Sequence, residues 1–286
     1  MKTLAIDIGG TKIALGLIEH GELQQRKQIA TPKAISADQF AKAIIDECQA
    51  WLPDVDRIGV STTGLVTPEG ITAINPDTLF FPAPFPLHNA LSSLTGYPVD
   101  ILNDAQAAAW FEFLQLDENV TNMAYITVST GVGGGLVINK SLHKGTTNFA
   151  GHIGHMVIDH TGQECGCGQK GCVEAIASGT AINKRARQLL SPEITNPELF
   201  ALSESDAQAK SIIQAGAIAT LCCNLKASLD LDIIVLGGGV GLANGYLTRV
   251  QEEINNRPVP FRVNVMAANG SHDACLLGAA YQFEGQ

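Results

Sequence analysis

The sequence has 286 residues, enough for one large domain or for two lobes that each bury a core. It is 45% hydrophobic and 16% charged with a net charge of −10, which is typical of a globular enzyme and argues against a nucleic-acid partner, since binding nucleic acid needs a basic surface. Asp7 interrupts the stretch that an export signal would need, and no run approaches the about 20 apolar residues of a membrane span, so we expect a cytoplasmic protein without a membrane partner.

The first part of the chain predicts strands joined by glycine-rich turns, followed by alternating helices and strands. The expected strands are 3–8, 13–18, 23–29, 57–61 and 99–102. The expected helices are 38–52, 87–94 and 103 to about 116, with a loop rich in Gly, Pro and Thr ending at residue 86.

At residue 123 the pattern restarts, because a strand at 123–129, a Gly/Thr turn and a strand at 134–138 repeat the plan of residues 3–18. We therefore expect an internal duplication. A loop-rich segment, 139–173, holds histidines and cysteines. The remaining expected elements are helices at 174–190, 206–229, 243–255 and 273–283 and strands at 232–236 and 262–267. No linker rich in Pro, Ser or charge is visible, which favours two closely packed lobes.

Two glycine/threonine turns are candidates for binding a polyphosphate. In residues 7–12, glycines let the backbone amides approach phosphate oxygens, Thr11 adds a hydroxyl and Asp7 can hold Mg²⁺. A plain hairpin is the alternative, but a second such turn at 129–135 favours a clamp on ATP. Neither turn matches the single-loop P-loop motif. The residues expected to bind ATP are Asp7, Gly9, Gly10, Thr11, Lys12, Thr130, Gly131, Gly133, Gly134, Gly238 and Gly239.

The last two of these residues belong to a glycine run, 237–241, that follows a predicted strand. The run could begin a dinucleotide-binding unit, but it lacks the third glycine at the required spacing. We therefore interpret it as a loop facing the nucleotide, and an oxidoreductase is the weaker interpretation.

Asn103 and Asp104 follow the apolar strand 99–102 and open a helix. Helix capping is the simpler interpretation, because Asn and Asp are preferred N-cap residues. The alternative is a carboxylate at the carboxyl end of a strand, where α/β folds bind ligands. Phosphoryl transfer needs one group to take the hydroxyl proton, so Asp104 is the candidate general base.

The strongest cluster is His155 with Cys165, Cys167 and Cys172. Three thiolates and an imidazole form a closed tetrahedral set for Zn²⁺, which indicates a structural site. Free thiols or a disulfide pair are the alternatives. A metal that holds this loop would also fix the neighbouring His152 and Glu174, which could then form a rigid edge for a sugar.

These motifs together resemble the ROK family of sugar kinases, repressors and related open reading frames. The matching segments are DIGGTK at 7–12, ND at 103–104, STGVGGG at 129–135, GHIGH at 151–155 and CGCGQKGC-x-E at 165–174. The resemblance implies a duplicated α/β fold of the actin/hexokinase type (ribonuclease H-like), with two lobes around a cleft. It implies an N-terminal lobe of residues 1–103 plus about 270–286, and a larger C-terminal lobe of 104–269 that carries the zinc loop.

By the same resemblance, the chain is expected to be a homodimeric kinase that uses ATP and Mg²⁺ and holds structural Zn²⁺. Asp104 would be the general base, and the cysteines and His155 would bind zinc. The expected sugar contacts are Gly64, Asn75, Asn103, Asp104, His152, His155 and Glu174.

The sugar is indicated by one departure from the family pattern. Many family glucokinases and fructokinases have glutamate at the position of His152. The histidine, with STTG at 61–64 and NDAQAAAW at 103–110, is similar to the bacterial branch that phosphorylates N-acetylmannosamine. Phosphorylation of its 6-hydroxyl is therefore the expected activity, with glucose or N-acetylglucosamine as the alternative.

A non-catalytic function is the remaining alternative. Family repressors carry a DNA-binding domain before the strand that leads to the DIGGTK motif, whereas here that strand begins at residue 3. A sugar-responsive regulator is therefore disfavoured. A sugar-binding module that has lost catalysis is disfavoured too, because Asp104 and both glycine turns are present.

Overall fold

The computed structural model describes residues 1–33, 36–75, 81–270 and 272–283. The strands are β1 (Lys2–Ile8), β2 (Lys12–Glu19), β3 (Glu22–Ala30), β4 (Arg57–Thr62), β5 (Leu65–Thr67), β6 (Gly70–Thr72), β7 (Val99–Asn103), β8 (Met123–Val128), β9 (Val132–Ile138), β10 (Ser141–Leu142), β11 (Ile233–Gly237) and β12 (Asn264–Ala267). The helices are α1 (Ala37–Cys48), α2 (Leu87–Thr95), α3 (Asp104–Phe113), α4 (Val173–Ala177), α5 (Gly179–Leu189), α6 (Asn196–Leu202), α7 (Ala207–Ile212), α8 (Ala215–Leu229), α9 (Gly238–Gly241), α10 (Tyr246–Asn255) and α11 (Ala274–Tyr281).

The chain divides into two compact units. The first comprises Met1–Leu114, Lys144–Phe149 and Ser271–Gln286, and the second comprises Gln115–His143 and Ala150–Gly270. Helix α3 thus groups with the first unit, whereas the sequence placed the lobe boundary before Asp104. The lobe boundaries given above remain a prediction.

The first unit is built on a sheet with the strand order β3-β2-β1-β4-β7. Strands β1, β2 and β3 are antiparallel neighbours, and β4 and β7 continue the sheet in parallel with β1. The register aligns Asp7 with Ser61 and Thr62 with Asn103. Four polar residues therefore lie at the carboxyl ends of three adjacent parallel strands, where ligands of α/β sheets bind.

Helix α11 completes the core of the first unit. Glycines allow close approach of its backbone: a Cβ on Gly278 would collide with the Ala107 carbonyl of α3, and a Cβ on Gly59 would collide with the Ala279 carbonyl. The indole Nε1 of Trp110 donates to the Tyr281 carbonyl oxygen at 3.0 Å. The helix that begins with Asp104 is thus held by residues far away in sequence.

The second unit repeats the arrangement, with the strand order β10-β9-β8-β11-β12. Strands β8 and β9 form an antiparallel hairpin, and β11 and β12 continue in parallel with β8. Each strand has a counterpart at the same position in the first sheet. The duplication expected from the two glycine turns is confirmed at the level of topology.

Two helices expected as continuous are broken. The expected helix 174–190 is α4 and α5, separated at Ser178, whose side-chain oxygen accepts from the Ala181 amide and caps α5. The expected helix 206–229 is α7 and α8, separated at Gln214, which adopts a φ of 58°. The stretch Ala207–Leu229 has the length and apolar composition of a membrane span, contrary to our expectation, but half of its apolar window is buried in the protein. We interpret it as core helices.

Candidate active site

Asp7 lies near the end of β1 and is coupled to the neighbouring strand. The Ser61 hydroxyl donates to Asp7 Oδ1 at 2.5 Å. Burial raises the pKa of the Asp7 carboxyl to about 6, the charge of Asp104 adds to this rise, and the Ser61 hydrogen bond opposes it. A carboxylate that is costly to ionise in its folded environment is suited to hold a cation.

Asp104 is the first residue of α3, and the helix cap is its neighbour. Asn103 Oδ1 accepts hydrogen bonds from the amides of Ala105 and Gln106, and the Gln106 side chain accepts from the Asn103 amide. Asn103 alone therefore accounts for the capping box, and the alternative interpretation of Asp104 as the cap loses its support.

The Asp104 carboxylate is held through both of its oxygens. Oδ1 accepts from the Ala105 amide at 2.8 Å and Oδ2 accepts from the Thr63 hydroxyl at 3.1 Å. Burial raises the pKa of Asp104, while these hydrogen bonds oppose the rise. Sequence reasoning did not identify Thr63, because the two residues are 41 positions apart.

The expected sugar contacts of the first unit are partly brought together. The Asn103 amide donates to the Gly64 carbonyl oxygen at 3.0 Å, and Gly64 adopts a φ of 102°, a conformation that favours glycine. Asn75 is partly buried in the bend that follows β6. The roles of these residues remain predictions.

The four predicted metal ligands lie together in the second unit. The ligand atoms of His155, Cys165, Cys167 and Cys172 all fall within 4.8 Å of one another. The sulfurs of Cys167 and Cys172 are 3.7 Å apart, and Cys165 Sγ is 3.6 Å from His155 Nδ1.

These distances fit a tetrahedral metal site. Zinc bonds of about 2.3 Å to sulfur and about 2.0 Å to nitrogen correspond to separations of about 3.8 Å between sulfurs and about 3.5 Å between sulfur and nitrogen. Burial raises the pKa of the Cys172 thiol to about 12, so a thiolate there requires a nearby cation. Both the geometry and the donor chemistry of the set therefore suit Zn²⁺.

His152 and Glu174 flank the metal cluster. Burial, assisted by the neighbouring His155, lowers the pKa of His152 to about 4, so its imidazole is neutral at physiological pH. Glu174 is the second residue of α4, and its Oε2 accepts from the Val132 amide at 2.9 Å. Glu174 thus contacts the second glycine turn, which its position in the sequence did not indicate.

The two glycine turns are built differently. In the first turn, the Gly9 amide donates a hydrogen bond to the Lys12 carbonyl oxygen, and the exposed residues are Gly10, Thr11 and Lys12. In the second, residues 129–131 form the turn.

Two other glycines expected to bind ATP have packing functions. Gly134 is buried in β9, where a Cβ would collide with Ile153. Gly238 has a φ of 84°, and its Cα approaches the Val128 carbonyl. Their contacts with ATP remain predictions, as do those of Gly133 and Gly239.

A cavity of about 810 Å³ in the second unit adjoins the second turn. Its walls include Ser129, Thr130 and Gly239 together with one face of α5. The residues from that helix and from the start of α6 are Thr180, Asn183, Lys184, Arg187, Gln188 and Asn196. Sequence reasoning missed these polar residues, although their spacing of three to four along α5 was a readable signal.

Comparison with known proteins identifies the family. A model described as the ROK family matches residues 3–286. An N-acetylmannosamine kinase from Vibrio vulnificus (strain CMCP6) is 65% identical over 288 residues, covering 99% of this chain and 98% of that protein.

Two solved structures extend the comparison to the fold. The crystal structure of a ROK hexokinase from Thermus thermophilus is 30% identical with a TM-score of 0.85, covering 99% of this chain and 97% of that one. A ROK family glucokinase from Streptomyces griseus, in complex with glucose and AMPPNP, is 28% identical with a TM-score of 0.76, and 98% of each chain is covered. The expected actin/hexokinase-like fold class is confirmed, and the chain belongs to the ROK family.

Proposed function

We propose that this protein transfers the γ-phosphoryl group of ATP to the 6-hydroxyl of N-acetyl-D-mannosamine. The observation that carries the proposal is the Asp104 carboxylate, which is held at the end of β7 by Thr63 and Ala105 and is not required as the helix cap. The choice of sugar is supported by the 65% identity to the Vibrio vulnificus enzyme along almost the whole chain.

The reaction makes modest demands on the protein. Asp104 takes the proton of the 6-hydroxyl, the hydroxyl oxygen bonds to the γ-phosphorus, and ADP leaves with the electron pair of the broken bond. Burial raises the pKa of Asp104, which brings the basicity of the carboxylate closer to the working pH. Asp7 would hold Mg²⁺, which neutralises phosphate charge when bound.

ATP is assigned to the glycine turns and the adjoining cavity. A volume of about 810 Å³ suits a nucleotide, and Lys184 and Arg187 on its wall provide positive charge near the phosphates or ribose. The proposed ATP contacts remain those expected from the sequence, with Asn183, Lys184, Arg187 and Asn196 added.

The sugar is assigned to Gly64, Asn75, Asn103, Asp104, His152, His155 and Glu174. The neutral imidazole of His152 can donate as well as accept a hydrogen bond, and it carries no charge to be left desolvated beside an acetyl group. An ionised glutamate at this position would accept from a free 2-hydroxyl and could give nothing to an acetamido carbonyl.

Zinc is assigned to His155, Cys165, Cys167 and Cys172. Four protein ligands leave no open position, so the ion would fix the loop from which His152 and Glu174 project. A cytoplasmic homodimer is also proposed, from the family alone, and light scattering in solution tests the dimer.

The test is an ADP-release assay with ATP and Mg²⁺ against N-acetylmannosamine, N-acetylglucosamine, glucose, mannose and fructose. We expect kcat/KM for N-acetylmannosamine to exceed that for glucose by at least ~10-fold, a difference of about 1.4 kcal/mol in transition-state binding. A preference for glucose would contradict the substrate assignment. His152→Glu should shift the ratio towards glucose, and an unchanged ratio in a folded variant would show that His152 does not select the sugar.

A further inference from the structure

The second glycine turn is held in place by two neighbouring helices. From α5, the Gly179 amide donates to the Ser129 carbonyl at 2.7 Å and the Thr180 amide donates to the Thr130 carbonyl at 3.2 Å. From α4, Glu174 Oε2 accepts from the Val132 amide at 2.9 Å. The turn therefore takes its shape from side chains and amides that are about 40 to 50 residues away in sequence.

The contact between Glu174 and the turn is close as well as polar. A Cβ on Gly131 would lie 2.5 Å from Glu174 Oε2, so the carboxylate occupies the space that any other residue at position 131 would need. Gly131 is not in the positive-φ region, so a side chain at this position would be opposed not by backbone conformation but by the Glu174 carboxylate, which would have to move.

The hydrogen bonds from α4 and α5 leave two amides of the turn and one oxygen of Glu174 available for ligands. Among the described residues, the amides of Thr130 and Gly131 make no intramolecular hydrogen bond, so they can donate to phosphate oxygens. Within the same residues, Glu174 Oε1 accepts no hydrogen bond, so it remains available to a sugar hydroxyl.

The position of Glu174 depends on the segment before it. Helix α4 has five residues, too few to be stable alone, and Cys172 is its N-cap. The Val173 amide donates to the Met156 carbonyl at 3.0 Å, which ties the start of α4 to the segment that follows His155.

We propose that Glu174 is a positioning residue of the nucleotide site: one carboxylate oxygen fixes the 129–131 turn through the Val132 amide, while the other remains for the sugar. This inference rests on the proposed function, since it assigns a second task to an expected sugar contact. The two tasks place different chemical demands on the side chain at position 174. The sugar task needs a charged carboxylate, whereas the turn needs one acceptor oxygen.

The experiment is a calorimetric titration of AMPPNP and Mg²⁺ into the zinc-loaded protein without sugar, for wild type, Glu174→Ala and Glu174→Gln. We expect Glu174→Ala to weaken AMPPNP binding about 10-fold, because the Val132 amide loses its acceptor. Glu174→Gln should stay within about 3-fold of wild type, since its amide oxygen can accept the same hydrogen bond. Affinity for N-acetylmannosamine should fall in both variants.

The variant Gly131→Ala provides an independent test in the same titration. Its methyl group displaces the carboxylate, so the variant should bind AMPPNP weakly on its own. Added to Glu174→Ala it should cost little more, because the methyl takes the space that the carboxylate has left. This non-additivity would not arise from two unrelated losses.

The outcomes separate the inference from the proposed function. Wild-type AMPPNP affinity in Glu174→Ala, equal losses in the Ala and Gln variants at equal metal content, or additive effects with Gly131→Ala would each overturn the positioning role. If the wild-type protein fails to bind AMPPNP or to phosphorylate any sugar, the proposed function itself is wrong.

Discussion

The two units share one sheet topology and differ in the chemistry that they place on it. In the first unit, Asp7 is the second-to-last residue of β1 and is aligned with Ser61 on β4. In the second, the equivalent residue is Thr127, aligned with Gly237. The first unit therefore carries charge at the end of its sheet, whereas the second presents hydroxyl and backbone groups there.

The turns differ in a related way. The first is stabilised by its own strands, since Gly9 donates to Lys12 and Thr31 donates to both Thr11 and Gly9. The second is supported from outside, by Glu174 and by the start of α5. One sheet topology therefore carries an ionisable group at the strand ends in one half of the duplication and hydroxyl and backbone groups in the other. Four predictions test this division.

The largest effect on turnover is expected at Asp104 in the first unit. Asp104→Asn should lower kcat by at least ~100-fold, because the amide cannot take a proton, while the fold and sugar affinity are preserved. Steady-state kinetics and sugar titration measure both quantities. Asp100→Asn, on the preceding strand β7, is the charge-matched control and should keep wild-type kcat. Near-normal turnover in Asp104→Asn would remove Asp104 from the mechanism.

Loss of the proposed zinc ion should disrupt the 151–174 segment of the second unit. Cys167→Ser should reduce bound zinc from about one equivalent per chain to a small fraction, because a three-ligand site binds weakly. Activity should fall at least ~10-fold, and residues 151–174 should lose hydrogen-exchange protection. Cys48→Ser in α1 controls for loss of a buried thiol and should leave zinc unchanged. Full activity in a verified metal-free wild-type protein would refute the structural role.

Asp7 should destabilise the folded protein when it ionises. Its pKa is raised to about 6 by burial, so its contribution to stability is present below pH 4 and is lost as pH rises through 6. The free energy of unfolding of Asp7→Asn should therefore exceed that of wild type at pH 8 without Mg²⁺ by about 3 kcal/mol, seen as a higher unfolding temperature, and the two proteins should converge at pH 4.

The matched control for this comparison is Thr127→Val at the equivalent strand position. Its thermal stability relative to wild type should be independent of pH, since no charge is removed. A pH-independent gain in Asp7→Asn would show that packing, not ionisation, is responsible.

The smallest effect is expected at Thr63. Removal of the hydroxyl that donates to Asp104 Oδ2 in Thr63→Val should raise the pKa of Asp104 further, because the charged form loses a hydrogen bond. The acidic limb of the kcat/KM profile should therefore move to higher pH, with the loss of activity confined to the acidic side of the profile. Thr63→Ser should keep the wild-type profile. A uniform loss at all pH values would indicate a structural role instead.

The parts of the protein that the sequence predicts are those encoded locally. The glycine turns, the Asn103-Asp104 pair and the closely spaced cysteines each need a few consecutive residues, so their chemistry is visible without a structure. The duplication was visible for the same reason, because each half opens on a strand, a Gly/Thr turn and a strand.

What the sequence did not predict depends on distant contacts. The hydrogen bonds of Thr63 to Asp104 and of Glu174 to Val132 join residues 41 and 42 positions apart. The break between α7 and α8 falls on Gln214, an ordinary helix former that adopts φ of 58° here. No local signal marks these positions, since each is set by packing around it.

The close packing of α11 has a consequence for how the protein is made. Helix α11, with Gly278 against Ala107 and the Tyr281 carbonyl bound to Trp110, supports the helix whose first residue is Asp104. During translation, all residues of the second unit are synthesised before α11. The second unit can therefore fold during translation before α11 is made, whereas the first unit can be completed only once α11 is present, so the Asp104 site should form late in biogenesis.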